Sequence, residues 1–96
     1  MPLCSLSEML RDAARRRYAL CYCESWNLES LQAVIEAAEE ASAPIIAGFN
    51  GGFLRHSGRP FPEKLAWYAG FRCALEESRA PVAFLLNESD DVAQIE

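Results

Sequence analysis

The chain has one histidine, His56, in 96 residues. It lies in a polar stretch with no second histidine to share a metal, so His-rich metal centres are excluded and an exposed side chain is expected. Basic residues are also scarce: nine Lys and Arg stand against fourteen Asp and Glu, a formal net charge of -5. A surface of that sign repels phosphate backbones and argues against nucleic-acid binding. No apolar run approaches the roughly 20 residues needed to span a bilayer. The opening Met1-Pro2-Leu3-Cys4-Ser5 has no basic stretch before an apolar core, so it does not read as a signal peptide. A cytoplasmic protein with no nucleic-acid or membrane partner is expected. The four cysteines, Cys4, Cys21, Cys23 and Cys73, form neither a zinc spacing nor a disulfide framework. Cys21 and Cys23 lie two apart in a predicted strand and share a face. They can hold a soft metal there, but small buried thiols are the expectation.

What is present suffices for a folded core, since 51% of the residues are hydrophobic. The length allows one small domain over residues 1–96. Ser5-Leu6-Ser7-Glu8 has the form of a capping box. Leu6, Met9, Leu10 and Ala13 follow at helical spacing, predicting a helix to about Arg17. Arg15, Arg16 and Arg17, with Arg11 one turn earlier, read as a solvated helix end that complements the dipole. The aromatic-rich run Tyr18–Cys23 is too short for a helix and reads as a first strand, leading into a loop at Glu24-Ser25-Trp26-Asn27.

Leu28 to Ser42 has a helical stripe of Leu28, Leu31, Ile35 and Ala38, with Glu29, Glu36, Glu39 and Glu40 away from it. Asn27 or Ser25 can cap this helix, and Ala43-Pro44 closes it. Pro44–Phe49 reads as a second strand running into Asn50-Gly51-Gly52, where glycines allow positive φ and close approach of backbone N–H groups to a ligand, or simply a turn. Phe53 to Pro62 reads as loop or a single turn. Pro62-Glu63 then opens a helix to about Ser78. That helix carries two apolar stripes, Leu65/Tyr68/Leu75 and Trp67/Phe71/Ala74, which implies contact beyond the sheet.

Pro81–Leu86 is the third predicted strand. It ends in Asn87-Glu88-Ser89-Asp90-Asp91, and Ser89 onward reads as the opening of another helix. Alternating helices and strands make a parallel sheet. In such sheets ligands bind beyond the carboxyl ends of the strands, which puts Asn87, Glu88 and Asp90 where chemistry is expected.

Several segments carry a resemblance to a known family. They are Pro2–Leu10, Tyr18-Ala19-Leu20, Asn27–Glu40, Ala43–Ile46, Phe49-Asn50-Gly51-Gly52 and Pro81-Val82-Ala83. In this order and spacing they resemble the N-terminus of class II, zinc-dependent fructose-bisphosphate and tagatose-bisphosphate aldolases. The resemblance covers nearly the whole chain. It implies an α/β fold made of the first three strands of a TIM (β/α)8 barrel, a parallel sheet with helices on one face. It further implies a sugar-phosphate substrate, zinc, and carbohydrate metabolism by aldol cleavage or condensation.

The chain departs from the family at the site. After the third strand the family typically has His-Leu-Asp-His, with the Asp as acid/base and the second His on zinc. Here the run is Leu85-Leu86-Asn87-Glu88. Asn87 stands at the acid/base position but cannot shuttle a proton, and Glu88 stands at the metal-ligand position as a lone carboxylate. The family's Gly-Ala-Phe-Asn is here Cys21-Tyr22-Cys23-Glu24, so Glu24 replaces a substrate-facing amide and repels phosphate. The phosphate-binding serine is absent or replaced by Asn50, while Gly51 and Gly52 remain.

A barrel of this type takes about 250 residues. Three strands cannot close one, so the inner face is expected to be open and to favour a homo-oligomer or cover from a C-terminal part of the protein. Three readings follow: the N-terminal piece of an aldolase, inactive by itself and holding no zinc; a non-catalytic relative that binds a partner or another ligand; or a stand-alone module that dimerises through its open face.

Overall fold

Ser5 begins the first helix, α1 (Leu6–Arg16), with the capping box read from the sequence. The Glu8 N–H donates to Ser5 Oγ at 3.2 Å, and the Ser5 N–H donates to Glu8 Oε2 at 3.0 Å. The Ser5 hydroxyl, donating to Glu8 Oε2 at 2.8 Å, and then the Ser5 N–H hold the Glu8 carboxyl below the usual carboxylate range. The computed structural model describes residues 3–54, 58, 64, 67–68, 70, 75–90 and 92.

The helix ends on Arg17, which adopts a left-handed cap (φ 59°, ψ 47°). Tyr18 belongs to this helix end rather than to a strand. Its N–H donates to the Ala13 carbonyl at 3.1 Å, and its hydroxyl donates to Asp12 at 3.0 Å. The first strand, β1 (Tyr22–Ser25), therefore starts four residues later than the predicted Tyr18. Ladder pairing begins only where Tyr22 meets Ile46. Glu24 and Ser25 consequently lie in the strand and not in the loop after it.

Asn27, not Ser25, caps α2 (Leu28–Ala41): its Oδ1 accepts the Ser30 N–H at 2.8 Å, and Ser30 Oγ accepts the Asn27 N–H at 3.2 Å. Ser25 is fully buried, and its hydroxyl has no partner among the described residues. α2 ends on Ser42, also left-handed (φ 51°, ψ 42°). β2 (Ile45–Asn50) and β3 (Val82–Asn87) each begin one residue after the predicted proline. Proline has no N–H to give the ladder, so pairing starts at the next residue.

The strands form a parallel sheet in the order β1-β2-β3. Alternation gives it two faces. On one face Ala47, Phe49 and Val82 pack with Leu31 of α2 and with Leu54, Tyr68 and Leu75. Phe49 is the hub, with ring centroids 4.1 Å from Tyr68 and 5.7 Å from Phe84. Burying each such side chain contributes about 1.5–3 kcal/mol.

On the other face Met9 of α1 closes over Ile46 and Ala83. The crossover helix thus lies on one face, as expected, but α1 covers the strand-entry end of the opposite face. Among the described residues that face is left open toward the strand exits. Leu3 bridges to Val82, and the Cys4 N–H donates to the Val82 carbonyl at 2.9 Å, which anchors α1 to β3.

One further expectation needs correction. Cys21 is exposed and Cys23 only half-buried, rather than both buried. Cys23 lies in the edge strand of the described sheet and Cys21 just before it, and α2 turns short alanines toward them. Glu39, off the apolar stripe of α2, accepts the Arg79 N–H at 2.8 Å, which holds its pKa down.

Of the predicted 62–78 helix, Trp67, Tyr68, Leu75 and Glu76 are helical, but Lys64 and Ser78 lie outside any helix and Gly70 is a turn residue. Tyr68 and Leu75 are buried, and Trp67 is 60% exposed. Leu65, Phe71 and Ala74, together with His56, Cys73, Asp91 and most of the predicted last helix, lie outside the described residues. Among the described residues no helix is long and apolar enough to cross a membrane.

Candidate functional site

The open part of the inner face is built from three strand positions in register. Glu24 sits beside Gly48, Gly48 beside Leu85, and Asn50 beside Asn87. Tyr22, one pleat below Glu24, completes the group. Period-two geometry brings all of them to one face at the strand exits.

Glu24 is the acceptor at the centre. Its Oε1 takes the Tyr22 hydroxyl at 3.2 Å and the Asn87 Nδ2 amide at 3.1 Å. Burial, and then the negative charges of Glu24 and Glu88, push the Tyr22 phenol up to about 12. Tyr22 is therefore a neutral donor throughout the physiological range.

A second link joins β2 to the end of β3. Asn50 Nδ2 donates to Glu88 Oε2. Glu88 can reach back because its backbone is left-handed (φ 47°), which turns the chain sharply after Asn87. The other end of the Asn50 amide, Oδ1, accepts the Phe53 N–H at 3.0 Å and so caps a one-turn helix, α3 (Gly51–Leu54). The Asn50-Gly51-Gly52 run is therefore a cap and first turn. Positive φ, expected at these glycines, occurs at no described glycine, because Gly51 and Gly52 are helical.

Gly48 is the glycine that the geometry demands. A Cβ placed on it stands 1.7 Å from the Leu85 carbonyl oxygen, so β2 and β3 approach too closely for any side chain. This leaves a shallow floor between Glu24 and Leu85.

The structure thus brings together Glu24, Asn50, Asn87 and Glu88, places Gly51 and Gly52 beside them, and leaves Asp90 exposed on the segment beyond. Tyr22 and Gly48 were not singled out from the sequence. Signals for both existed: Tyr22 lies two residues before Glu24 on the same strand, and an isolated strand glycine often marks close backbone approach.

The donor set does not fit a zinc ion. Among the described residues no three His, Cys, Asp or Glu side chains stand close enough to hold a metal. Glu88 is engaged by Asn50 and Glu24 by two donors, and zinc takes three or four protein ligands. What the arrangement offers instead is a floor of carboxylates and carboxamides suited to hydroxyl groups. Its surface is unfriendly to phosphate.

Comparison with known proteins gives the wider frame. The family model described as Fructose-bisphosphate aldolase class-II matches residues 4–96. The chain is similar to a "Probable fructose-bisphosphate aldolase" of Bacillus subtilis (strain 168), 43% identical over 58 residues, which is 60% of this chain and 20% of that protein. It is also similar to the "Fructose-bisphosphate aldolase" of Staphylococcus aureus (strain Mu50 / ATCC 700699), 45% identical over 56 residues, covering 58% and 20% of the two chains. The Staphylococcus epidermidis (strain ATCC 12228) protein of the same name matches with the same figures. The chain spans about a fifth of the length of the curated relatives it matches. With a parallel α/β sheet, a polar cluster at its strand exits and a family match over nearly every residue, this chain belongs to the class II fructose-bisphosphate aldolase family.

Proposed function

We propose that this chain forms the N-terminal strands of an aldolase-type barrel whose site binds a sugar-derived ligand without cleaving it by the zinc mechanism. The observation that carries this reading is the bond from Asn87 to Glu24. A carboxamide, tied to a carboxylate, stands where the family resemblance calls for a proton-transferring acid. An amide side chain has no pKa usable for that role. Glu88, at the metal-ligand position, is held by Asn50. The two carboxylates favour a ligand recognised through hydroxyls over one bearing phosphate at this point. A cytoplasmic location and self-association across the open sheet are part of the same reading.

The test is turnover. The full chain, supplied with zinc, is assayed against fructose 1,6-bisphosphate and tagatose 1,6-bisphosphate, and zinc per chain is measured after dialysis. No cleavage and no zinc held at Glu88 are expected. Zinc-dependent cleavage that is lost in Glu88→Gln overturns the reading.

A second reading is favoured by the family match across residues 4–96. In it the chain is the N-terminal part of an active aldolase of ketose bisphosphates, and strands beyond those described supply the zinc ligands and the proton shuttle. Cleavage by the longest natural form of the protein, undiminished in Asn87→Ala, selects this second reading.

A further inference from the structure

Three acceptor atoms of the strand-exit cluster are left unfilled by the described residues. Glu24 takes both the Tyr22 hydroxyl and the Asn87 amide on one oxygen, Oε1, which leaves its Oε2. Glu88 takes Asn50 on Oε2, which leaves its Oε1. The Asn87 amide has to turn its nitrogen to Glu24, because a carboxylate only accepts, so its Oδ1 is the end left over. Two of these three acceptors carry charge. We propose, resting on the reading of this site as one for a sugar-derived ligand, that the ligand is an amino sugar whose ammonium group is received by Glu24, Glu88 and Asn87.

Neither carboxylate has a counter-ion among the described residues. Their partners are a phenol and two carboxamides, all neutral, and the ion pairs of the described residues lie at Asp12 and Glu39. Both charges bear on one place: burial first, then Glu24 and Glu88, push the Tyr22 phenol up to about 12. Two carboxylates by themselves would describe any acidic surface. What makes this a binding site is its position at the carboxyl ends of parallel strands, in a chain of the aldolase family.

An ammonium group offers three donors, which matches the open acceptors in number. Calcium takes six to eight oxygen ligands, more than these atoms supply, and among the described residues no three metal-ligating side chains stand together. A phosphate needs donors and meets two negative charges instead. The nitrogens of Asn50 and Asn87 each carry two hydrogens and use one on a carboxylate. The second hydrogen of each suits the lone pair of a hydroxyl beside the amine, which favours an amine-bearing polyol over a simple alkylamine. Glu88 is exposed, so solvent screens its charge and the preference for the amine is about tenfold.

The experiment compares matched ligands on the full chain. Galactosamine and 1-amino-1-deoxyfructose are titrated beside galactose and fructose, and dissociation constants are read from amide chemical shifts. Each amino sugar is expected to bind about tenfold more tightly than its neutral counterpart, and the ratio shrinks as salt is added. The ratio falls at least threefold in Glu24→Gln and in Glu88→Gln. Glu36→Gln, on the exposed side of α2, removes the same charge and leaves the ratio unchanged, which separates the site from general attraction to a chain of net charge -5. The exposed Glu88→Gln decides the matter if Glu24→Gln does not fold. Equal binding of amino and neutral sugars overturns the ammonium assignment and leaves the sugar site standing. A preference that persists in Glu88→Gln, or falls as far in Glu36→Gln, overturns it as well. Binding of neither kind of sugar overturns both this proposal and the reading it rests on, whereas zinc-dependent cleavage of a bisphosphate overturns that reading alone.

Discussion

At the scale of single residues the site depends on what is missing from Gly48 as much as on its polar neighbours. A methyl group there meets a backbone carbonyl at 1.7 Å, and a backbone atom cannot swing aside as a side-chain tip can. Gly48→Ala is expected to destabilise the protein by about 3 kcal/mol or more, by separating β2 from β3. Urea denaturation checks this, and a loss under about 1 kcal/mol contradicts it. The site was partly legible in the sequence. Asn87 and Glu88 stand out as candidates because the ends of parallel strands are where binding groups gather, Glu24 and Asn50 through the family resemblance, and the structure sets the four side by side. Their links were not legible. The Asn87–Glu24 bond joins residues 63 apart in the chain, and no local pattern encodes which amide finds which carboxylate. Glu88's left-handed turn was equally hidden, since glutamate carries no preference for that conformation.

At the scale of elements, both long helices end on a residue with a Cβ in a conformation that favours glycine. An L-residue in the left-handed region costs about 1–2 kcal/mol. Ser42→Gly is therefore expected to stabilise the protein by about 1 kcal/mol, offset slightly by the freer unfolded chain. A thermal melt should rise by about 4–8 °C for a chain of this size; an unchanged or lower midpoint contradicts the assignment of strain to this cap. The end of α1 has an electrostatic counterpart. Asp12 accepts Arg15 Nη2 at 2.6 Å and the Tyr18 hydroxyl at 3.0 Å, with Arg16 Nε at 3.3 Å. These partners hold its carboxyl below the usual range. A depressed folded value means that the contribution is present above about pH 4, the unfolded value, and is lost as pH falls through the folded one. Asp12→Asn should consequently show a shallower acid limb in a melt-versus-pH series, with its deficit shrinking below about pH 4. A parallel offset at every pH sinks this account. The same end of α1 explains the misplaced first strand. Tyr18 and Leu20 have strand-like character, but Tyr18 is committed to Asp12 and Ala13, and tertiary pairing overrides propensity.

At the scale of the whole molecule, among the described residues three parallel strands leave one sheet face partly open and β1 without an outer neighbour. Trp26 is 52% exposed and Trp67 60% exposed on this framework. Such groups are common anchors of association. Concentration-dependent self-association is expected in sedimentation velocity, and Trp67→Glu should weaken it by roughly tenfold or more. A chain that stays monomeric across the accessible range refutes this. The order of elements and the parallel sheet were legible, because helical and strand periods alternate cleanly. The covering of the strand entries by α1 was not, because the register that sets Met9 against Ile46 and Ala83 is made by residues far apart. That covering bears on how the protein is born. Leu3 and Cys4 dock onto Val82, so once made this segment waits for β3, about 80 residues later in synthesis, before it has a place to sit. At about 5–20 residues per second, some 80 residues take on the order of ten seconds to synthesise. For that interval α1 is an unanchored amphipathic helix with its apolar side bare, which makes it the natural handle for a chaperone acting during translation.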